Sequence, residues 1–183
     1  MRRVLFSPLA AALLAGAAAA TVVVRLDLQG LTSRSEAILE GKCLSTRPVL
    51  DGAGNIATAV RVAVSRAFKG AAVGEVEFRL PGGEMGDRGL LIPGMPGFSA
   101  GEELLLFLTP ESPTGIRLPV GLGQGKFRVE RDPATGRKAL ARSLGGVRLL
   151  DPATGEALPG PGEERFEYDA LAALVERLVR EGR

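Results

Sequence analysis

Apolar and polar residues alternate with a period of two through most of this chain, and a helical period replaces it only near the C-terminus. Val60, Val62 and Val64 are interleaved with Ala59, Arg61 and Ala63, which predicts a half-buried strand over Ile56–Phe68. A second strand is predicted over Ala37–Leu44. Between the two lies Asp51-Gly52-Ala53-Gly54-Asn55, whose glycines and Asx side chains suit a chain reversal, so the pair reads as a long hairpin. Val76, Phe78 and Leu80 alternate with Glu75, Glu77 and Arg79 in a third strand with one inner and one outer face. Leu104–Leu108 is apolar without interruption, the pattern of a strand covered on both sides.

The second half of the chain repeats one turn. Asp132-Pro133-Ala134-Thr135-Gly136 returns as Asp151-Pro152-Ala153-Thr154-Gly155. Pro presets φ for the second turn position and Gly accepts the left-handed one, so each copy predicts a hairpin turn and not a binding repeat. Phe127 and Val129, between Lys126, Arg128 and Glu130, lead into the first turn, and Lys138–Arg142 lead out of it. Gly160-Pro161-Gly162 breaks the chain before a helix predicted over 169–181. Its expected N-cap is Asp169, its core stripe Leu171, Leu174, Val175 and Leu178, its exposed pair Glu176 and Arg180, and its stop Gly182. These elements predict a mainly β protein with one domain over 21–183. The expected architecture is a single antiparallel OB-like barrel with hairpin additions and a C-terminal packing helix, and a β-sandwich is the alternative. Closure would remove the strand edges that a long hairpin leaves exposed.

The first twenty residues follow a different pattern. Met1-Arg2-Arg3, an apolar run from Val4 to Gly16 and Ala17–Ala20 before Thr21 have the parts of a secretory signal peptide, predicted as 1–20. The protein is therefore expected to be exported, periplasmic or extracellular. An N-terminal membrane anchor is the alternative, because the run read on to Val24 approaches the ~20 residues of a span. Its Ala-rich content, interrupted by Ser7, Pro8 and Gly16, makes lipid insertion weakly favourable, so no stable membrane insertion is expected after cleavage. Cleavage also changes the charge. The chain has 23 Lys and Arg against 21 Asp and Glu, and Arg2 and Arg3 are lost with the signal, leaving a neutral mature protein. Nucleic acid is accordingly not an expected partner.

The chemistry available is narrow: the chain has no His, no Trp and one cysteine, Cys43. Cys43 lies in an apolar stretch with Ala37, Leu39 and Leu44, and reads as a buried, unpaired strand residue. Serine triads and the common zinc sites lose their usual histidine. Ser45 near Lys42 has no supporting motif, and Glu102-Glu103 would point to opposite faces of a strand. No catalytic, cofactor-binding or metal-binding residue is assigned, and no cofactor is expected. The region best suited to contact something is Pro81–Gly101, rich in Gly and Pro but without the Gly-Lys-Ser/Thr ending of a phosphate-binding loop. It reads in two ways. A short strand over Leu90–Ile92 flanked by loops can tuck Phe98 into the core, or Met85, Met95 and Phe98 can present apolar contacts on a loop rim to a protein or envelope partner. The expected function is thus an exported, non-catalytic binding module. The alternatives are an envelope structural or assembly protein without a discrete site and a hydrolase of unfamiliar type.

One resemblance adds to this. Ser35–Gly41, Ala67-Phe68-Lys69-Gly70, Pro81-Gly82-Gly83, Pro93–Phe98, Gly101–Leu108 and Gly121–Val129, in that order, resemble a group of uncharacterised exported bacterial proteins. More distantly, a strand ending in Gly41, another ending in Phe68-Lys69-Gly70 and a later Leu-Phe-Leu strand are similar to netrin-like domains and tissue inhibitors of metalloproteinases. That likeness implies an OB-type barrel. Those inhibitors use an N-terminal cysteine and a disulfide frame, and a mature chain starting near Thr21 has neither, so metal chelation does not carry over.

Overall fold

The alternating segments assemble into one antiparallel sheet, seen in a computed structural model that describes residues 21–70, 74–160 and 162–182. The predicted signal peptide 1–20 and Pro161 of the predicted break lie outside the described residues. In chain order the elements are β1 (Thr21–Val24), α1 (Leu28–Arg34), β2 (Ala37–Leu50), β3 (Ile56–Lys69), β4 (Glu75–Pro81), β5 (Gly83–Met85), β6 (Arg88–Leu90), β7 (Glu103–Leu108), β8 (Lys126–Arg131), β9 (Lys138–Ser143), β10 (Val147–Leu150), β11 (Glu163–Glu167) and α2 (Tyr168–Glu181). Seven strands form the main sheet in the order β11-β9-β8-β7-β2-β3-β4, every neighbour antiparallel. The predicted hairpin is β2–β3, closed where Asp51 accepts from the backbone N–H groups of Ala53 and Asn55. Three register shifts interrupt that pair, and such bulges bend and twist the strands that carry them.

The sheet does not close into a barrel: β11 and β4 stand at its two ends. Nor do two large sheets stack as in a sandwich, since the other described strands form only the small pairs β1–β10 and β5–β6. The correction has a physical origin. Alternation specifies which face of a strand is buried but not what buries it, and here helices and loops cover the sheet in place of a closing strand.

Alternation along β7 shows the two coverings. Leu105 and Phe107 face a cluster with Ile38, Phe127 and Leu140, capped by Leu31 of α1 and by Leu171, Ala172, Val175 and Val179 of α2. Leu104, Leu106 and Leu108 face the opposite cluster, with Leu39, Cys43, Val60, Val62, Phe78 and Leu80. The double-sided burial expected for Leu104–Leu108 is met. Cys43 is fully buried and unpaired as expected, whereas Leu44, on the other side of the strand, is exposed.

The C-terminal helix starts one residue earlier than predicted and its cap is Glu167, whose carboxylate accepts from the N–H groups of Asp169 and Ala170. The buried stripe is centred on Ala172 and Val179 as well as Leu171 and Val175, with Leu174 and Leu178 half-buried. Glu176 pairs with Arg66 of β3, not with Arg180. Glu40, buried on β2, accepts from Tyr168 at the start of this helix and from Lys138 Nζ at 2.9 Å, a polar tie between helix and sheet. Burial, reinforced by the neighbouring Glu40, pushes the Tyr168 hydroxyl pKa up. The carboxylate bond raises the Lys138 ammonium in turn.

Two sequence features were silent. α1 is seven residues long with a central glycine, held at its start by Asp27, whose carboxylate accepts from the Gly30 N–H at 2.7 Å. β1 pairs in parallel with β10, a contact between the first described strand and the last third of the chain. Gln124 fixes that approach. Fully buried, it accepts from Leu26 N–H at 2.7 Å and donates to the Val24 carbonyl at 3.0 Å.

Candidate functional site

The Pro81–Gly101 segment leaves β4 and returns into β7 as a set of tight turns anchored to the sheet. Thr58 donates to the Gly82 carbonyl at 2.8 Å, and Gly82 N–H to the Ile56 carbonyl at 2.9 Å, so the chain continues along the long hairpin into the small β5–β6 pair. The glycines are needed there. Gly82 has φ +97° and a Cβ would meet the Leu90 carbonyl oxygen at 2.8 Å. The turn over Ile92–Met95 is closed by Met95 N–H to the Ile92 carbonyl at 3.1 Å, and Thr21 donates to the Pro93 carbonyl at 2.7 Å. Gly94, at φ +81°, packs against the Val147 side chain of β10.

Downstream, Lys126 of β8 holds the loop. Its ammonium donates to the Gly97 carbonyl at 2.6 Å and to both Glu102 oxygens at 2.7 and 2.9 Å, and lies 4.6 Å from the Phe98 ring centroid. Both partners of the ion pair are 13% exposed, so solvent screens it less than a surface pair. The Gly101 and Glu102 backbone then bonds across Cys43 at 2.8 Å on each side. Burial pushes the Cys43 thiol pKa up, and the Glu102 charge adds to the effect. A thiol in that state is a poor nucleophile.

The three sequence-predicted contacts separate into a pair and a single. Met95 and Phe98 are half-buried and pack on the loop-covered cluster, Phe98 meeting Phe78 edge-to-face at 5.7 Å. Met85 is half-buried on β5, in a different hairpin, and does not line the clefts formed by the other two. The short strand expected over Leu90–Ile92 is found at Arg88–Leu90. That shift releases Leu91, which is 89% exposed, with Leu90 beside it 40% exposed. Both were missed as contacts. The signal was available in Leu90-Leu91-Ile92, an apolar triplet inside a Gly/Pro-rich loop, but as a strand it implied burial.

Two clefts flank the 93–98 turn. One, about 160 Å³, is bounded by Leu80, Pro81, Leu91, Ile92, Met95 and Phe98 and is apolar. The other, about 240 Å³, shares Met95 but is lined by Glu102, Lys126, Arg128 and Ser143. Arg128 is committed to Glu130 and Glu163. Glu102 and Glu103 point to opposite faces as expected, to Lys126 and Arg131 respectively. Among the described residues no group of three or more Cys, Asp or Glu side chains is placed to hold a metal, and no helix is long and apolar enough to cross a membrane. No family model matches the chain, and no curated protein or solved structure shows significant similarity to it.

Proposed function

We propose that the protein is an exported, non-catalytic binding module that engages a protein partner in the cell envelope through its 81–101 loops. The observation that carries this reading is the exposed pair Leu90 and Leu91 on the lip of the apolar cleft floored by Met95 and Phe98. An apolar side chain held out from a rigid turn, next to a cleft of side-chain size, suits a contact in which each partner inserts one residue into the other. Met95 and Phe98 serve as floor, Leu90 and Leu91 as the projecting contact, and Met85 lies outside this patch. Export rests on the 1–20 pattern.

The test is recovery of a partner from an envelope extract by the tagged mature chain, compared with Leu91→Ser and Met95→Ser. Both variants are expected to lose the partner while Met85→Ser keeps it. Equal recovery by folded Leu91→Ser would overturn the assignment of the site.

A further inference from the structure

We propose a second site, distinct from the loops, in which a cleft between α1 and β11 binds a small amphipathic anion: an organic carboxylate with an alkyl or aromatic body. The cleft measures about 500 Å³, within the ~300–1,000 Å³ usual for small-molecule sites. Its floor is apolar. Phe127 and Phe166 meet edge-to-face at 5.7 Å, and Leu26 and Leu28 complete the wall.

Its rim is cationic beyond what the neighbouring acids balance. Arg25, Arg34 and Arg142 all line the cleft, and Asp27 is the only acid among the lining residues. The Asp27 carboxylate already accepts from Gly30 N–H as the cap of α1. Glu164, behind the rim, is shared by Arg25 at 2.8 Å and Arg142 at 2.6 Å, so one carboxylate serves two guanidiniums. Arg34 is exposed and has no carboxylate partner among the described residues. Arg142 is buried, its guanidinium 5.1 Å from the Phe127 centroid and 5.4 Å from that of Phe166 and bonded to Glu164 and to the Gln124 carbonyl at 3.1 Å, so it forms part of the wall and leaves Arg25 and Arg34 as the cations of the rim. An anion seated between Arg25 and Arg34 completes the charge count, and its apolar body covers Phe166 and Leu28. A neutral lipid gains nothing from the rim, and a cation is repelled by it. A guanidinium fork matches a carboxylate with two parallel hydrogen bonds, which favours that head group.

Octanoate titrated into the full-length ¹⁵N-labelled chain tests this, followed by NMR with octanol and octyltrimethylammonium as isosteric controls. Saturable one-to-one shifts are expected at the amides of Leu28, Arg34 and Phe166, and none at Leu91. Octanol is expected to bind about tenfold more weakly, as is octanoate to Arg34→Gln, the loss expected for one charge-assisted hydrogen bond. Arg34→Lys should recover part of the affinity, and Arg25→Gln provides the parallel reading should Arg34→Gln fail to fold. Leu91→Ser should leave octanoate binding unchanged, so failure here and failure of the loop site are separable. Absence of shifts in the cleft, equal affinity for octanoate and octanol, or full octanoate affinity in folded Arg34→Gln would each overturn the proposal.

Discussion

The two faces of one sheet are covered by different means, and the difference bears on where binding can occur. On the helix-covered face, α2 lays a continuous apolar stripe and α1 adds Leu31 over Phe107, Phe127, Leu140 and Ile38, and these four side chains are fully buried. On the loop-covered face the sheet side chains are as well buried, but the cover is Met95, Phe98 and Leu118, all half-buried and delivered one at a time by turns. A helix brings an apolar residue to the same face every three or four positions. An irregular loop must satisfy its backbone through individual bonds, such as Lys126 to Gly97 and Thr58 to Gly82, and so covers less with more chain. Leu90 and Leu91 stand exposed beside the loop cover, and on the helix side the apolar residues Phe127, Phe166 and Leu28 line a cleft instead of projecting.

Truncation beneath the helix cover and within the loop cover sharpens the contrast. Phe127→Ala should cost roughly 3–5 kcal/mol, because the ring is fully buried between Phe107 and Phe166 and the helices above cannot collapse into the space. Urea unfolding followed by circular dichroism measures it, and a loss below about 1 kcal/mol would mean that the helix-covered core is loosely packed. Phe98→Ala should cost less, about 2 kcal/mol, since the ring is only partly buried and what is lost is its packing on Phe78 and the Lys126 contact. Equal losses at the two positions would erase the difference between the faces.

At the rim the comparison inverts from stability to binding. Leu91→Ser should change stability by less than about 0.5 kcal/mol, as exposed positions do, while abolishing partner capture. A large fall in melting temperature would show that Leu91 is part of the loop's packing.

The twin turns, outside both covers, give the smallest effect and a pH signature. Asp132 accepts from Thr135 and Ala134 N–H, and Asp151 from Thr154 and Ala153 N–H; these bonds hold both carboxyls below their ordinary pKa. A lowered folded-state pKa contributes stability above the unfolded value of about 3.9, and that contribution is lost as pH falls through the folded value. The Asp132→Asn and Asp151→Asn pair should therefore flatten the melting temperature's decline below about pH 4 and leave it unchanged in slope near pH 7. An undiminished acid decline would show that other carboxylates carry it.

The local grammar of the chain was legible because it depends on neighbours in sequence. Alternation in Ile56–Phe68, the uninterrupted Leu104–Leu108 run, the Asp51–Asn55 reversal and the C-terminal apolar stripe each identify an element whose physical cause lies within a few residues. Phe166 alone among Glu163, Glu164, Arg165 and Glu167 gives too little period to identify β11, and Leu28–Arg34 is too short and carries Gly30. Phe98 was legible as a plug of the core, one of its two readings, whereas Met95 as a second plug and Met85 in a separate hairpin were not. Only the tertiary structure decided which cover each sheet face receives, that the sheet ends at β4 and β11, that Gln124 pins Val24 and Leu26, and that Arg25, Arg34 and Arg142 converge on one cleft. Those outcomes join residues up to 139 positions apart, as in Arg25 to Glu164, and no local pattern encodes a pairing whose free energy appears only once the intervening chain is folded.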